Sequence, residues 1–222
     1  MRIRLIVSIL IMPLPWIIRR IILVRIFGYS FGDRSYVGRS ILDANKVTLG
    51  VDACIGSLTA IRNLDELILK DRARIGSFNW IFGYLGHEHF KGATNRKSRL
   101  ILGDDSAVVA RHIIDCTDEV SFGEFSTLAG HRSQILTHSI DIKQNIQTCA
   151  PIVIGRYSFV GTGCILTKGA VLPGYSVVGA GSVVTNKTGG QEYSLYVGNP
   201  AGIVKQLDPE SKYFKRKKGV VR

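Results

Sequence analysis

From Ile154 to Val184 every sixth residue is aliphatic: Ile154, Val160, Leu166, Leu172, Val178 and Val184. Two places before each stands another small or apolar residue, in order Ile152, Ser158, Cys164, Ala170, Ser176 and Ser182. A helix repeats near 3.6 residues and a flat strand at 2, so a period of six belongs to neither. It belongs to a chain that turns a corner after every short strand. Three edges then close a triangular coil, and the aliphatic residue of each edge points into the prism. The expected fold is all-β, a left-handed parallel β-helix of hexapeptide repeats. Gly155, Gly161, Pro173 and Gly179 follow four of these aliphatics, where a bend suits a turn-compatible residue.

The phase continues backwards with interruptions. Leu49, Ile55, Ile61 and Leu67 form one block, Ile75 and Ile81 restart after a shift of two, Leu102, Val108 and Ile114 form a third, and Phe122 and Leu128 follow another shift of two. Each shift implies a corner with extra residues, so loops should leave the prism there. The stretch from Val37 to Val184 holds roughly eight coils of about 18 residues. A sandwich with coincidental spacing would not keep one phase for six repeats.

With 222 residues, 45% of them hydrophobic, the chain supports one substantial domain with appendages. Its net charge of +12 sits at the ends. Residues 1–40 hold seven Arg and one Asp, residues 205–222 hold seven Lys or Arg and two acids, and the body between holds 15 basic and 14 acidic groups. Nucleic-acid binding wants a basic stripe along the body, so no nucleic-acid partner is expected. Two basic ends on a neutral body suit an anionic membrane surface.

The first 28 residues sharpen this. Between Arg4 and Arg19 lie 14 uncharged residues, fewer than the ~20 of a spanning helix, and Pro13 and Pro15 break them. The absence of a small-residue cleavage site disfavours a removable signal peptide. The segment reads as an anchor lying on the membrane, one helix ending near Pro13 and another starting after Pro15. Trp16 would sit at the interface, with Arg19, Arg20 and Arg25 reaching headgroups. The alternatives are a cap on the open end of the β-helix or a subunit interface. The expected domain plan is 1–28 as membrane-associating segment, 29–204 as β-helix and 205–222 as basic tail.

Cys54, Cys116, Cys149 and Cys164 lack metal-ligand spacing and fit a reducing compartment, with Cys164 packed inside the repeat. Of the five histidines, His87 and His89 fall in an insertion over 83–97 that reads as an exposed polar loop, with metal or substrate binding as the alternative. The densest polar stretch runs from Ala129 to Asp141, where the six-residue phase is lost just before Ile152 resumes it. A loop there would project His138, with Ser139 and Asp141 near enough to orient its ring. A neutral imidazole can take a proton from a hydroxyl attacking an acyl carbonyl, and a carboxylate or backbone carbonyl on its far nitrogen would fix the tautomer.

Together these features resemble the hexapeptide-repeat acyltransferases, above all the bacterial O-acetyltransferases of capsule, colanic-acid-type and other surface polysaccharides. Thr137-His138 followed by Ser139-Ile140-Asp141 is similar to their catalytic loop. The segment from Val178 to Thr185 is similar to their acetyl-CoA edge, and Gly198-Asn199-Pro200-Ala201 followed by Lys205 to the turn over the CoA nucleotide. The resemblance covers about residues 28–208. It implies His138 as general base with Asp141 in the catalytic loop, acetyl-CoA as acyl donor, no metal, and a homotrimer holding the donor between two subunits. Gly161, Thr162 and Ala180 would line the pantetheine, with Thr185 and Lys205 near the nucleotide end. Arg111, His112 and His131 are candidates for contacts with a glycan acceptor. The Asn that such sugar enzymes carry on the coil beside the His has no counterpart near Val108, so acceptor contacts should differ. The implied reaction acetylates a sugar hydroxyl of a surface polysaccharide or its lipid-linked precursor, on the cytoplasmic face of the membrane.

Transfer to an amino sugar is the nearest alternative. A zinc enzyme of the γ-carbonic-anhydrase type uses the same prism but needs three converging histidines, and His112, His131 and His138 are spaced by 19 and 7, unlike that pattern. A silent membrane-docked scaffold is the third reading. An acyl-enzyme on Cys is disfavoured because no Cys lies within the His138 loop.

Overall fold

The computed structural model describes residues 3–86, 88–90, 95–219 and 221, so His87 of the polar insertion lies outside the described residues. Short parallel strands form the three faces of a triangular prism. Face I runs from Ser30–Phe31 to Val171–Leu172, face II from Tyr36–Val37 to Ser194–Gly198, and face III from residues 41–43 to Val183–Val184. Two longer strands, Ile41–Leu49 and Ala60–Leu69, run round the corner from face III to face I, with a register irregularity at Asp43/Ala44. Ala201–Gln206 closes the far end antiparallel to Ser194–Gly198. This is the left-handed β-helix that the six-residue phase predicts.

The coils stack in register, so one interior position becomes a column. On face III, Ile61 pairs with Ile81, Ile81 with Ile114, Ile114 with Ile135 and Ile135 with Leu166. All five are fully buried. Each such side chain contributes about 1.5–3 kcal/mol by leaving water, and coils contact only their neighbours, so stability accumulates rung by rung.

Corners obey a second rule, close backbone approach. A Cβ on Gly76 would lie 1.8 Å from the Val109 carbonyl oxygen of the next coil, and only glycine avoids that overlap. The corner between faces II and III also carries a polar ladder, one rung before each face III strand. Ser40 accepts from the Thr59 N–H, Thr59 from Asn79, Asn79 from His112, His112 Nδ1 from Ser133, and Ser133 from Cys164, at 2.9–3.2 Å. The small residues of the repeat are therefore small because each must fit inside the prism and bond the next turn.

Residues 3–27 fold as two helices, α1 (Ile3–Ile11) and α2 (Trp16–Phe27), broken at the prolines as expected. They lie across the open end of the first coil. The Ser8 hydroxyl accepts from the Leu42 N–H, and the buried Arg19 guanidinium donates to the carbonyls of Val37, Gly38 and Ser40. Arg20 donates to Phe31 and Gly32, and Trp16 Nε1 to Ser35 while its ring packs against Phe31 and Tyr36. Arg19, Arg20 and Trp16 thus satisfy carbonyls of the terminal coil, and do not reach outward as the anchor reading expects. Among the described residues no helix is long and apolar enough to cross a membrane.

The basic C-terminal segment is not a free tail. Phe125, Tyr157, Tyr175 and Tyr193 stack at 4.5–5.4 Å down the corner between faces I and II. Phe214 packs edge-on against Tyr175 and Tyr193, and Arg216 lies over Phe125, Tyr157 and Tyr213. The 204/205 boundary also cuts a strand, Ala201–Gln206.

Candidate active site

Every face III strand starts at the corner with face II and ends at the corner with face I. Two excursions leave at the latter corner, residues 83–98 after Trp80–Phe82 and residues 137–151 after Gln134–Leu136. The second is an antiparallel hairpin of His138–Asp141 and Ile146–Cys149. Between these two coils lies Ile113–Asp115, with Asp115 in register with Phe82 below and Leu136 above. Strand alternation turns Ile114 inward and Asp115 outward, yet Asp115 is 0% exposed because the excursions enclose it.

A buried carboxylate needs donors, and Asp115 has them. Its Oδ1 accepts from the Thr117 N–H at 2.8 Å. Its Oδ2 accepts from the Thr137 N–H at 3.0 Å, the Thr137 hydroxyl at 3.2 Å and the His138 N–H at 3.2 Å. The shortest contact is to the ring, His138 Nδ1 at 2.6 Å. Burial alone would raise the Asp115 carboxyl, but hydrogen bonds from His138 and Thr117 outweigh it and hold the group below the ordinary carboxylate range. The same bond raises His138 above the ordinary histidine value against the opposing effect of burial. With Nδ1–H committed to Asp115, Nε2 carries the lone pair.

The His138 side chain is 37% exposed, open to a reactant. It lines a cavity of about 160 Å³ with Phe82, Tyr84, His89, Phe90, Thr117 and Gln147, and Phe90 meets its ring edge-on at 6.2 Å. His89 and Gln147 also line a cleft of about 460 Å³ running between the excursions past Ile140 and Asn145. The buried Arg96 secures the first excursion, donating to the carbonyls of Tyr84, Gly86 and Thr117 and lying over Phe90 at 4.8 Å.

Several expected residues stand elsewhere. Asp141 does not orient His138; at the far end of the hairpin strand, its Oδ1 accepts from the Gln144 N–H in the turn. Sequence reasoning misses Asp115 in that position. His112 is a buried rung of the polar ladder, lowered to about 4 by burial and then by His131, and so a neutral ring. Arg111 lies over Phe78 and His131 contacts the Ala110 carbonyl, both at the corner between faces II and III. Gly161, Thr162 and Ala180 share that corner: the Thr162 hydroxyl donates to the His131 carbonyl and accepts from its N–H. A Cβ on Gly161 would meet the Ala180 backbone at 2.9 Å. Thr185 follows Val183–Val184 at the corner shared with His138, and Lys205 faces Leu195 where face II begins. Thr185 and Lys205 therefore occupy different corners instead of one nucleotide end.

His138 and the Thr162–Ala180 edge bound opposite sides of face III in one chain. Cys149 pairs with His138 across the hairpin, correcting the expectation that no Cys lies within the His138 loop. Burial, then Asp118, raises its thiol to about 11, so it is protonated near neutrality and a poor nucleophile. Among the described residues no three His, Cys, Asp or Glu side chains gather as a metal site.

No family model matches the chain. Solved structures do. A hexapeptide-repeat acetyltransferase of Vibrio cholerae O1 biovar eltor, crystallised with acetyl coenzyme A, is 18% identical over 93% of this chain and 87% of that one, with a TM-score of 0.50. A second structure of the Vibrio cholerae enzyme gives 17% identity, 93% and 90% coverage and the same TM-score of 0.50. A maltose O-acetyltransferase from Clostridium difficile 630 is 16% identical over 93% of this chain and 86% of that one, with a TM-score of 0.40. At these identities the likeness is one of fold, and the chain has the hexapeptide-repeat β-helix fold of the Vibrio cholerae structures.

Proposed function

We propose that this protein is an acetyl-CoA-dependent O-acetyltransferase that acetylates a glycan hydroxyl, with His138 as general base and Asp115 as the residue that positions it. The observation that carries the reading is the 2.6 Å contact between Asp115 and His138 Nδ1, which leaves Nε2 basic on a half-exposed ring beside a cavity. Nε2 removes the hydroxyl proton as the oxygen attacks the thioester carbonyl. A carbon–oxygen bond forms, the oxyanion collapses, the carbon–sulfur bond breaks, and the imidazolium returns the proton to the departing CoA thiolate. Asp115 stays ionised and stabilises the imidazolium between these steps.

The donor fits the corner of Gly161, Thr162 and Ala180, and the fold's relative from Vibrio cholerae supports acetyl-CoA as that donor. His138 stands across face III from this corner, which supports a homotrimer in which one subunit's His138 corner faces the next subunit's donor edge. Phe82, Tyr84 and Phe90 offer aromatic faces beside His138, suited to the apolar face of a sugar ring. An acyl donor made in the cytoplasm and a surface-glycan acceptor together favour the inner face of the membrane.

The test compares surface polysaccharide from cells lacking the gene, complemented with either the wild-type or the His138→Ala chain. Mass spectrometry should find acetyl groups restored by the wild type and missing with the variant. Restoration by His138→Ala would remove His138 from the mechanism.

A further inference from the structure

The two N-terminal helices close the prism with one side and leave the other uncovered. α1 contains only two polar residues, and both face the prism: Ser8 bonds Leu42 and Arg4 donates to Asn45. Its remaining surface is aliphatic, and only Ser8 and Ile11 are buried. Ile3 and Leu10 of α1 and Ile17 of α2 are exposed by 70% or more, and Ile6, Ile9 and Ile21 of the same helices are exposed as well. Aliphatic helix surface left exposed in this quantity marks a face that something covers.

We propose that this outer face docks on an anionic bilayer, with the prism standing upright on it. Three observations favour lipid over a second protein. The patch is Ile, Leu and Val without the aromatic anchors that protein interfaces favour. The polar side chains of the helices are turned to the prism except Arg25, so Arg25 alone among them is left to seek a partner outside. Arg25 is exposed and the first acidic residue of the chain is Asp33, which matches negatively charged headgroups.

Upright docking follows from the contacts of the cap, which reach face I at Phe31, face II at Val37 and face III at Leu42, so the helices lie across the prism axis. Four coil steps separate the first face III edge from the edge that precedes His138. At ~4.8 Å per step the base stands about 20 Å above the capped end. The consequence for substrate, which rests on acetyl transfer at His138, is an acceptor tethered to the same membrane, its reacting hydroxyl several sugar units from its lipid.

The two tryptophans test the orientation, since Trp16 lies in the cap and Trp80 is exposed on face III two steps above the first coil. The full chain is mixed with phosphatidylcholine vesicles containing phosphatidylglycerol and brominated acyl chains. It should sediment with them, and bromine should quench Trp16 in the Trp80→Phe variant severalfold more than it quenches Trp80, read in Trp16→Phe or as the difference from wild type. The Ile17→Asp/Ile21→Asp double variant should keep its melting temperature and bind vesicles about 100-fold more weakly. The proposal is overturned if the wild type stays in the supernatant, if both tryptophans are quenched equally, or if the double variant instead dissociates a larger soluble assembly. None of these readings involves acetyl transfer, so a failure of His138 as base leaves them unchanged.

Discussion

Replacing Asp115 with Asn exchanges one oxygen for a donor at the most constrained point of the site. Four N–H groups and a hydroxyl converge on the carboxylate, four of the five on Oδ2. The amide can satisfy most of them only by placing its oxygen where Oδ2 stands, which turns its NH₂ against the buried Thr117 N–H. The Thr117 N–H and the new NH₂ both then lack acceptors, and each unmet buried donor costs about 1–3 kcal/mol, so the variant should fold with a lowered melting temperature. The amide oxygen still accepts from His138 Nδ1, so the tautomer survives and the charge does not. A charge-assisted hydrogen bond of about 1.5–3 kcal/mol to the imidazolium is lost in the transition state, which slows transfer about 10- to 100-fold. The assay is thiol release from acetyl-CoA with polysaccharide from cells lacking the gene as acceptor. An unchanged kcat/KM in a destabilised Asp115→Asn protein would refute the reasoning, because Asp115 would then only hold the corner together.

Other predictions follow from the same geometry. Because Asp115 raises His138, the acid limb of kcat/KM should lie above the ordinary histidine value of 6.5, and in Asp115→Asn it should move down. The paired His138 also stabilises the fold below 6.5, a contribution lost as pH rises through its raised folded value, as urea titrations at stepped pH would show. His112 has the opposite sign. Its folded value of about 4 lies below 6.5, so the unfolded chain binds the proton first and stability falls as pH drops from 6.5 towards 4, by up to about 3 kcal/mol. A His112→Asn variant should lose most of that acid sensitivity. Gly76→Ala should destabilise by about 3 kcal/mol in urea unfolding, because its Cβ overlaps the Val109 carbonyl. Arg96→Ala should free the first excursion, seen as faster proteolysis within residues 84–96 at little cost to the melting temperature of the prism.

The prism was legible because its core repeats: a side chain every six residues survives as a pattern even when corners add residues. His138 was legible because the pattern stops there. Asp115 was not, since it is 23 residues from His138 and meets it only through stacking. A signal did exist: placing Ile114 and Ile135 in one interior column sets Asp115 beside Leu136, two residues from His138. Asp141 is nearer in sequence, but hairpin geometry carries it away from the ring. The inward roles of Arg19 and Arg20 are hidden for a related reason. An arginine among aliphatics suggests lipid headgroups, and a strand edge with unpaired carbonyls is invisible until the coil is closed.

The most direct measurement of the central claim follows the acetyl group itself. Purified wild-type chain, isotopically labelled acetyl-CoA and unacetylated polysaccharide should yield labelled acetyl ester on the glycan. The His138→Ala chain, with the same size and melting behaviour, should yield almost none. Labelled ester formed at the wild-type rate by His138→Ala, or no labelled glycan from the wild type, would contradict the account.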